Sequence, residues 1–309
     1  MIINTGSRTD IPGFFSDWFY QRIKEGYVLT RNPFYPQQVI RYRLDPAVVD
    51  ALVFCTKNPA PMLARLDELS GFRQCWFVTI TPYGKDVEPH VPVKGLVMDA
   101  FRGLSVKTGA DAVGWRYDPI FINDTYPLEF HLECFEKMAE YLDGYTHQCV
   151  ISFIDLYAKT RRNFPGVREV TAKERARIAE HFVRVGRRHG MVIRSCCEGT
   201  ELEPSGVDCG GCMTQSVIEK AIGITLKVPG RSHSTREGCD CLLGNDIGMY
   251  NTCGHGCLYC YANYDRRTVC ENMRLHDPKS PFLVGGFRDG DTLKEAKQVS
   301  WVDGQLRLF

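Results

Sequence analysis

Cys253, Cys257 and Cys260 stand at the spacing C-x3-C-x2-C within Cys253-Gly254-His255-Gly256-Cys257-Leu258-Tyr259-Cys260, followed directly by Tyr261-Ala262-Asn263. Three thiolates on a short, glycine-containing loop can hold three corners of a cube of iron and sulfide, for which cysteine thiolate is the usual protein ligand. A cube has four iron corners, so such a loop leaves one iron open to a cofactor or substrate, much as a catalytic zinc keeps a position that a structural zinc closes. Zinc is the competing reading, but it usually takes four ligands from paired C-x2-C motifs, which this spacing alone does not supply. His255, between two glycines, is read as shaping the loop.

A second group of thiols lies upstream. Cys209-x2-Cys212 and Cys239-x-Cys241, with Cys196 or Cys197 before them, offer enough sulfur to close a second site, either another iron–sulfur cluster or a zinc. The preferred quartet is Cys197, Cys212, Cys239 and Cys241. Cys55, Cys75, Cys134, Cys149 and Cys270 stand alone and read as ordinary core or surface thiols.

These loops need a scaffold, and the sequence supplies a repeating one. Ile2 to Thr5 reads as a strand, with a helix from Pro12 to Ile23 that Gly26 ends. Residues 27–44 read as a hairpin inserted into the repeat, punctuated by Asn32-Pro33 and Tyr35-Pro36. Strands then alternate with helices: Ala51 to Cys55 before Pro61 to Leu69, Trp76 to Ile80 before Lys94 to Val106, and Ala112 to Trp115 before Pro127 to Leu142. Cys149 to Ile154 precedes a helix from Thr171 to His189, whose Thr171 and Glu174 sit at capping-box spacing, and Met191 to Arg194 makes a sixth strand. Strands separated by helices at this spacing predict a parallel sheet, here a partial or full (β/α) TIM-type barrel over residues 1–198. Residues 199–309 read as a cysteine-rich extension packing over the barrel mouth, with a helix from Gln215 to Ala221 and a strand at Ile224-Thr225-Leu226.

Each of the six strands is trailed by polar residues: Arg8 and Asp10, then Thr56-Lys57-Asn58, Thr81-Pro82-Tyr83, Arg116-Tyr117-Asp118, Ser152 with Asp155, and Cys197-Glu198. In a parallel βα barrel the loops after the strands build the active site at one mouth, so these residues converge there. The Arg/Asp pairs suit a carboxylate, an ammonium or a ribose.

The bounds from composition agree with a soluble enzyme. A chain of 309 residues with 44% hydrophobic and 24% charged residues is long enough for one large α/β domain. No run of about 18 apolar residues is present, and Met1-Ile2-Ile3-Asn4 opens no signal-like segment, so a cytoplasmic protein with no membrane partner is expected. In a reducing compartment, 14 cysteines point to metal rather than to disulfides. Lys plus Arg number 38 against 37 acids, which excludes a global field for nucleic acid. The arginine-rich run from Arg161 to Arg188 reads as a solvated helix face, with a phosphate-contacting surface of a nucleic-acid repair or modification enzyme as the alternative.

The C-x3-C-x2-C motif with its trailing aromatic and small residue resembles that of radical S-adenosylmethionine enzymes. That resemblance implies a [4Fe-4S] cluster on Cys253, Cys257 and Cys260, S-adenosylmethionine on the open iron, a small-molecule substrate, and an electron donor such as flavodoxin or ferredoxin. Further segments resemble one uncharacterised bacterial group, the domain of unknown function 1848 family: Gly6-Ser7-Arg8-Thr9-Asp10-Ile11-Pro12, Thr56-Lys57-Asn58-Pro59, Trp115-Arg116-Tyr117-Asp118-Pro119, Ser152-Phe153-Ile154-Asp155, and Asp246-Ile247-Gly248-Met249-Tyr250 running into Cys253. Under this reading Arg116, Asp118, Asp155 and Lys57 are catalytic candidates, and Arg8, Asp10, Tyr250 and Tyr261 contact the cofactor. The superfamily's cysteines normally follow the first barrel strand, whereas here the loop from Gly6 to Pro12 has none. The cluster loop must therefore fold back over the mouth from the C-terminal side. A non-radical iron–sulfur or zinc barrel protein is the competing function.

Overall fold

The computed structural model describes residues 1–230, 241–242 and 245–303. Ten strands are described: β1 (Ile2–Asn4), β2 (Tyr27–Arg31), β3 (Gln38–Arg43), β4 (Ala51–Thr56), β5 (Gln74–Thr79), β6 (Val113–Ile120), β7 (Gln148–Phe153), β8 (Val192–Ser195), β9 (Asn245–Asp246) and β10 (Thr292–Glu295). The helices are α1 (Ile11–Phe14), α2 (Ser16–Glu25), α3 (Ala60–Leu63), α4 (Lys94–Thr108), α5 (Leu128–Tyr141), α6 (Ala158–Asn163), α7 (Ala172–Arg188), α8 (Gln215–Ile222) and α9 (Arg266–Arg274).

Seven strands form one all-parallel sheet in the order β8-β7-β6-β5-β4-β1-β9. From β1 to β8 the spatial order follows the chain, as repeated βα units dictate. Among the described residues the sheet is open, however: β8 and β9 are its edges, and it does not close into a barrel. Its seventh strand comes from Asn245–Asp246 at the C-terminal side, against β1. The stretch Ile224-Thr225-Leu226 is not a strand; Leu226 makes only an isolated antiparallel bridge to Val302. The expected hairpin is β2 with β3, and β10 joins it in parallel to make a separate three-stranded sheet.

Alternation along each strand separates the two faces. Ile3, Leu52, Phe54, Trp76, Val78, Trp115 and Ile151 point to the helix-covered face. There Phe54 stacks on Trp76 at 3.9 Å between centroids, and Trp115 on Phe135 of α5 at 4.9 Å. Phe135 stacks in turn on Phe182 of α7 at 3.6 Å. Such ring pairs add roughly 0.5–1.5 kcal/mol each beyond their burial and hold α5 and α7 on the sheet. The capping box predicted for α7 is present, with Thr171 Oγ1 accepting from the Glu174 N–H and the Glu174 carboxylate accepting from the Thr171 N–H.

The opposite face carries Ile2, Ala51, Val53, Cys75, Phe77 and Val150, packed against Val217 and Ile218 of α8. One helix from the C-terminal half therefore covers the lower part of this inner face, where a closed barrel would have buried strands against strands. Two residues further along, the same inner rows turn polar at Cys55, Thr79, Arg116 and Ser152. This polar row is the floor of the site.

Candidate active site at the strand ends

A cavity of about 470 Å³ opens above that floor, within the ~300–1,000 Å³ range of small-molecule sites. Lys57, Arg116, Asp118 and Asp155 line it, as do Tyr250 and Tyr261 at its rim. Cys253, Cys257 and Cys260 face it from one side, Cys196, Cys212 and Cys241 from another. Cys55, read from sequence as an ordinary thiol, also lines it.

The cysteine loop is tied down from below. His255 is 2% exposed and donates from Nε2 to Asp10 Oδ2 at 2.7 Å. Asp10 also accepts from Thr56 Oγ1 at 2.6 Å and from the Lys57 and Gly13 N–H groups at 2.8 Å each. Burial alone would raise the Asp10 pKa, but His255, Thr56 and the Lys57 N–H hold it below the usual carboxylate range. Asp10 is thus an ionised anchor linking the β1 loop, the β4 end and the cysteine loop. Further ties run from the His90 N–H to the His255 carbonyl at 3.1 Å and from the Leu258 N–H to the Val87 carbonyl at 3.1 Å. The Asn263 side-chain amide reaches the Cys253 carbonyl at 2.7 Å.

The two loop glycines have separate reasons. A Cβ at Gly254 would stand 2.8 Å from the Phe14 ring, so the loop lies against α1 only without a side chain there. Gly256 has φ +71°, the left-handed region that glycine enters freely.

Beneath the loop, Glu88 is wholly buried and accepts from four donors: Lys57 Nζ at 2.8 Å, Thr81 Oγ1 at 2.8 Å, Lys94 Nζ, and the Tyr259 hydroxyl. Burial pushes its pKa up, but the charges and hydrogen bonds of Lys57 and Lys94 outweigh that and bring it to about 2. The Lys57 ammonium also lies 5.5 Å from the Tyr259 ring centroid, within cation–π range. Lys57 therefore joins the loop to the floor. Burial raises the Cys253 thiol well above its ordinary value and the Cys257 thiol to about 12.

Arg116 and Asp118 pair within one strand, Nε to Oδ2 at 3.1 Å, and Ser152 donates to the other Asp118 oxygen. Asp155 is exposed and accepts from the Tyr157 hydroxyl at 3.0 Å. Arg8 bonds to Asp246, through Nε to Oδ1 at 3.2 Å and through its terminal nitrogen to the carbonyl, so it ties β9 to β1. Its guanidinium stands 6.0 Å from the Tyr250 ring. The Tyr261 hydroxyl donates to the Ser7 carbonyl at 2.6 Å.

For the second thiol group the structure differs from the preferred quartet. Cys196 is the one that meets Cys212, whose Sγ lies 3.5 Å from Cys196 Sγ and 3.5 Å from Cys241 Sγ. Arg194 pairs in register with the inward-facing Val150, so two residues on it is Cys196 that turns inward. Cys197 is exposed, at φ 59°. Cys239 lies outside the described residues. Hydrogen bonds from Cys197 and Cys212, with Arg116 adding to them against burial, hold the Cys196 thiol well below its ordinary value. Among the described residues, no group of three or more His, Cys, Asp or Glu side chains is set out to hold a single metal ion. A cube spreads its three thiolates over three corners rather than around one ion.

A sequence profile described as Domain of unknown function (DUF1848) matches residues 2–262. The chain belongs to that family. The matched span runs from β1 through the cysteine loop, so the residues of the site lie within it. No curated protein matches the chain, and no solved structure matches it. Among the described residues, no helix is long and apolar enough to cross a membrane.

Sequence reading missed Glu88, and of its two candidates Cys196 and Cys197 it preferred Cys197, whereas Cys196 is the one that approaches Cys212. Alternation from Arg194 could have found Cys196. Glu88 carries no such signal, because its four donors come from four separate segments.

Proposed function

We propose that this protein is a radical S-adenosylmethionine-type enzyme, with a [4Fe-4S] cluster held by Cys253, Cys257 and Cys260. The observation that carries the reading is that all three cysteines line the same cavity as Lys57, Arg116, Asp118 and Asp155. The donor set fits the group: three thiols on one glycine-shaped loop, with the Ala262 N–H directed at Cys260 Sγ at 3.3 Å and the His255 N–H at Cys253. When bound, the cluster and S-adenosylmethionine supply one-electron cleavage of a carbon–sulfur bond to start radical chemistry, while the protein binds, orients and excludes water.

The chain's own residues divide that work. Asp10 and His255 fix the loop, and Glu88 with Lys57 and Tyr259 fixes it from the other side. Arg116 and Asp118 present a charged pair on the floor, suited to polar groups of cofactor or substrate. Tyr250 and Tyr261 stand at the rim, where a ring can cover an adenine face. The arginines beyond the site support a solvated face, since Arg161, Arg168, Arg175, Arg177 and Arg188 each meet a glutamate. An electron donor such as flavodoxin or ferredoxin would reduce the cluster.

Product analysis tests the proposal. Protein reconstituted anaerobically with iron and sulfide, then reduced with S-adenosylmethionine present, is expected to yield 5′-deoxyadenosine, or methylthioadenosine if the other carbon–sulfur bond breaks. Neither product above the level of a Cys253→Ala, Cys257→Ala, Cys260→Ala variant would sink it and favour a non-radical metalloprotein.

A further inference from the structure

Two thiols outside the cysteine loop meet on the cavity wall. Cys196 follows β8 and Cys212 precedes α8, yet their sulfurs lie 3.5 Å apart, and both are free thiols that line the cavity. We propose that Cys196 and Cys212 are a redox-active dithiol that exchanges with a small-molecule disulfide entering the cavity, Cys196 attacking and Cys212 resolving. This chemistry needs neither the cluster nor S-adenosylmethionine.

The backbone holds the two positions together. The Cys196 N–H donates to the Ile151 carbonyl of β7 at 3.0 Å, which fixes that residue to the sheet. On the other side, the Met213 carbonyl next to Cys212 accepts from the Leu242 N–H at 2.8 Å. A disulfide bond of ~2.05 Å leaves a gap of ~1.5 Å for side-chain rotation to close.

The two roles follow from access. Cys196 is partly exposed whereas Cys212 is 1% exposed, so a molecule in the cavity reaches Cys196 first. The Cys212 S–H donates to Cys196 Sγ, and the Arg116 guanidinium hydrogen-bonds the same sulfur. Such neighbours offset the negative charge that an attacking sulfur carries. Cys241 Sγ also lies near Cys212, but it is buried and accepts from the Met213 N–H, so the entering molecule does not start there.

The exchange has two steps. Cys196 Sγ attacks one sulfur of the external disulfide, forming a mixed disulfide and releasing one thiol. Cys212 Sγ then attacks Cys196 Sγ, forming the internal disulfide and releasing the second thiol. Two protein thiols are oxidised, and the external disulfide takes up their two electrons and two protons.

The test uses the full chain under anaerobic conditions, with and without iron and sulfide on the Cys253 loop, so that a failed cluster and a failed dithiol are separate results. Reduced protein is equilibrated with 2-hydroxyethyl disulfide, quenched in acid, alkylated and digested after glutamate. Glu198, Glu201 and Glu203 stand between the two cysteines, so their linkage appears as two joined peptides, and fragmentation separates Cys196 from Cys197 and Cys212 from Cys209. Cys196–Cys212 is expected as the main linkage, with both mercaptoethanol halves released. Cys212→Ser is expected to stop at the first step, with one half kept on Cys196. Wild-type mapping reads the pair without any variant having to fold. No joined peptide, Cys212 joined instead to Cys209 or Cys241, or mercaptoethanol spread over the cavity thiols of Cys212→Ser would each overturn the assignment.

Discussion

Glu88 offers the sharpest test of how the site is held together. Replacing it by Gln leaves the shape nearly unchanged but removes the charge that Lys57 and Lys94 face in a wholly buried position. Its carboxyl falls from an ordinary 4.5 to about 2 in the folded protein. That difference corresponds to ~3 kcal/mol, the low end of the roughly 3–5 kcal/mol cost of breaking a buried pair. The sign follows from the depression: the contribution is fully present above the unfolded value and is lost as pH falls through the folded one. Urea unfolding of wild type and Glu88→Gln should therefore differ by ~3 kcal/mol at pH 6–7. The gap should narrow steadily from about pH 4.5 toward pH 2. A gap under ~1 kcal/mol, of the size surface pairs give, or one that does not change with pH, would refute the reasoning. Because Tyr259 and Lys57 share this carboxylate, the variant should also bind less iron at the Cys253 loop.

Three other outcomes follow from the geometry. Gly254→Ala should cost ~1–3 kcal/mol by crowding the Phe14 ring, and Phe14→Ala added to it should recover part of the loss, read by thermal unfolding of the double-mutant cycle. Asp10→Asn should loosen the loop, since His255 loses its ionised acceptor, and cut iron content on reconstitution while α-helical circular dichroism stays unchanged. His131 donates from Nε2 to the Phe121 carbonyl at 2.8 Å, accepts at Nδ1 from the Tyr117 hydroxyl, and is held neutral by burial with its pKa down at about 4. A histidine lowered in this way stabilises the fold fully above about pH 6.5 and loses that contribution toward pH 4; His131→Phe should flatten the pH dependence of stability across that window.

Much of the scaffold was legible because local periodicity and packing agree there. α4, α5 and α7 carry apolar faces at helical spacing, and the Thr171–Glu174 box fixes where α7 begins. β9 was not legible: two residues, Asn245–Asp246, pair with β1 while Asp246 also accepts from the Ser7 N–H and Arg8. Closure was over-read for the same reason, since the inner face is covered by α8, an element whose sequence says only that it is an amphipathic helix. At the site, Asp10, Lys57, Arg116, Asp118, Ser152 and Asp155 line one cavity with the cysteine loop, whereas Arg8 and Thr81-Pro82-Tyr83 are not among its lining residues. Their roles were harder to read: Asp10 and Arg8 hold segments together, a matter of partners over two hundred residues away in the chain.

The most direct measurement of the central claim is the electron paramagnetic resonance spectrum of the anaerobically reconstituted, reduced protein with and without S-adenosylmethionine. An open iron on the Cys253 loop predicts a [4Fe-4S] signal that shifts when S-adenosylmethionine is added and is missing when the three loop cysteines are alanine. A signal that stays the same with the cofactor, or that persists without those cysteines, would contradict it.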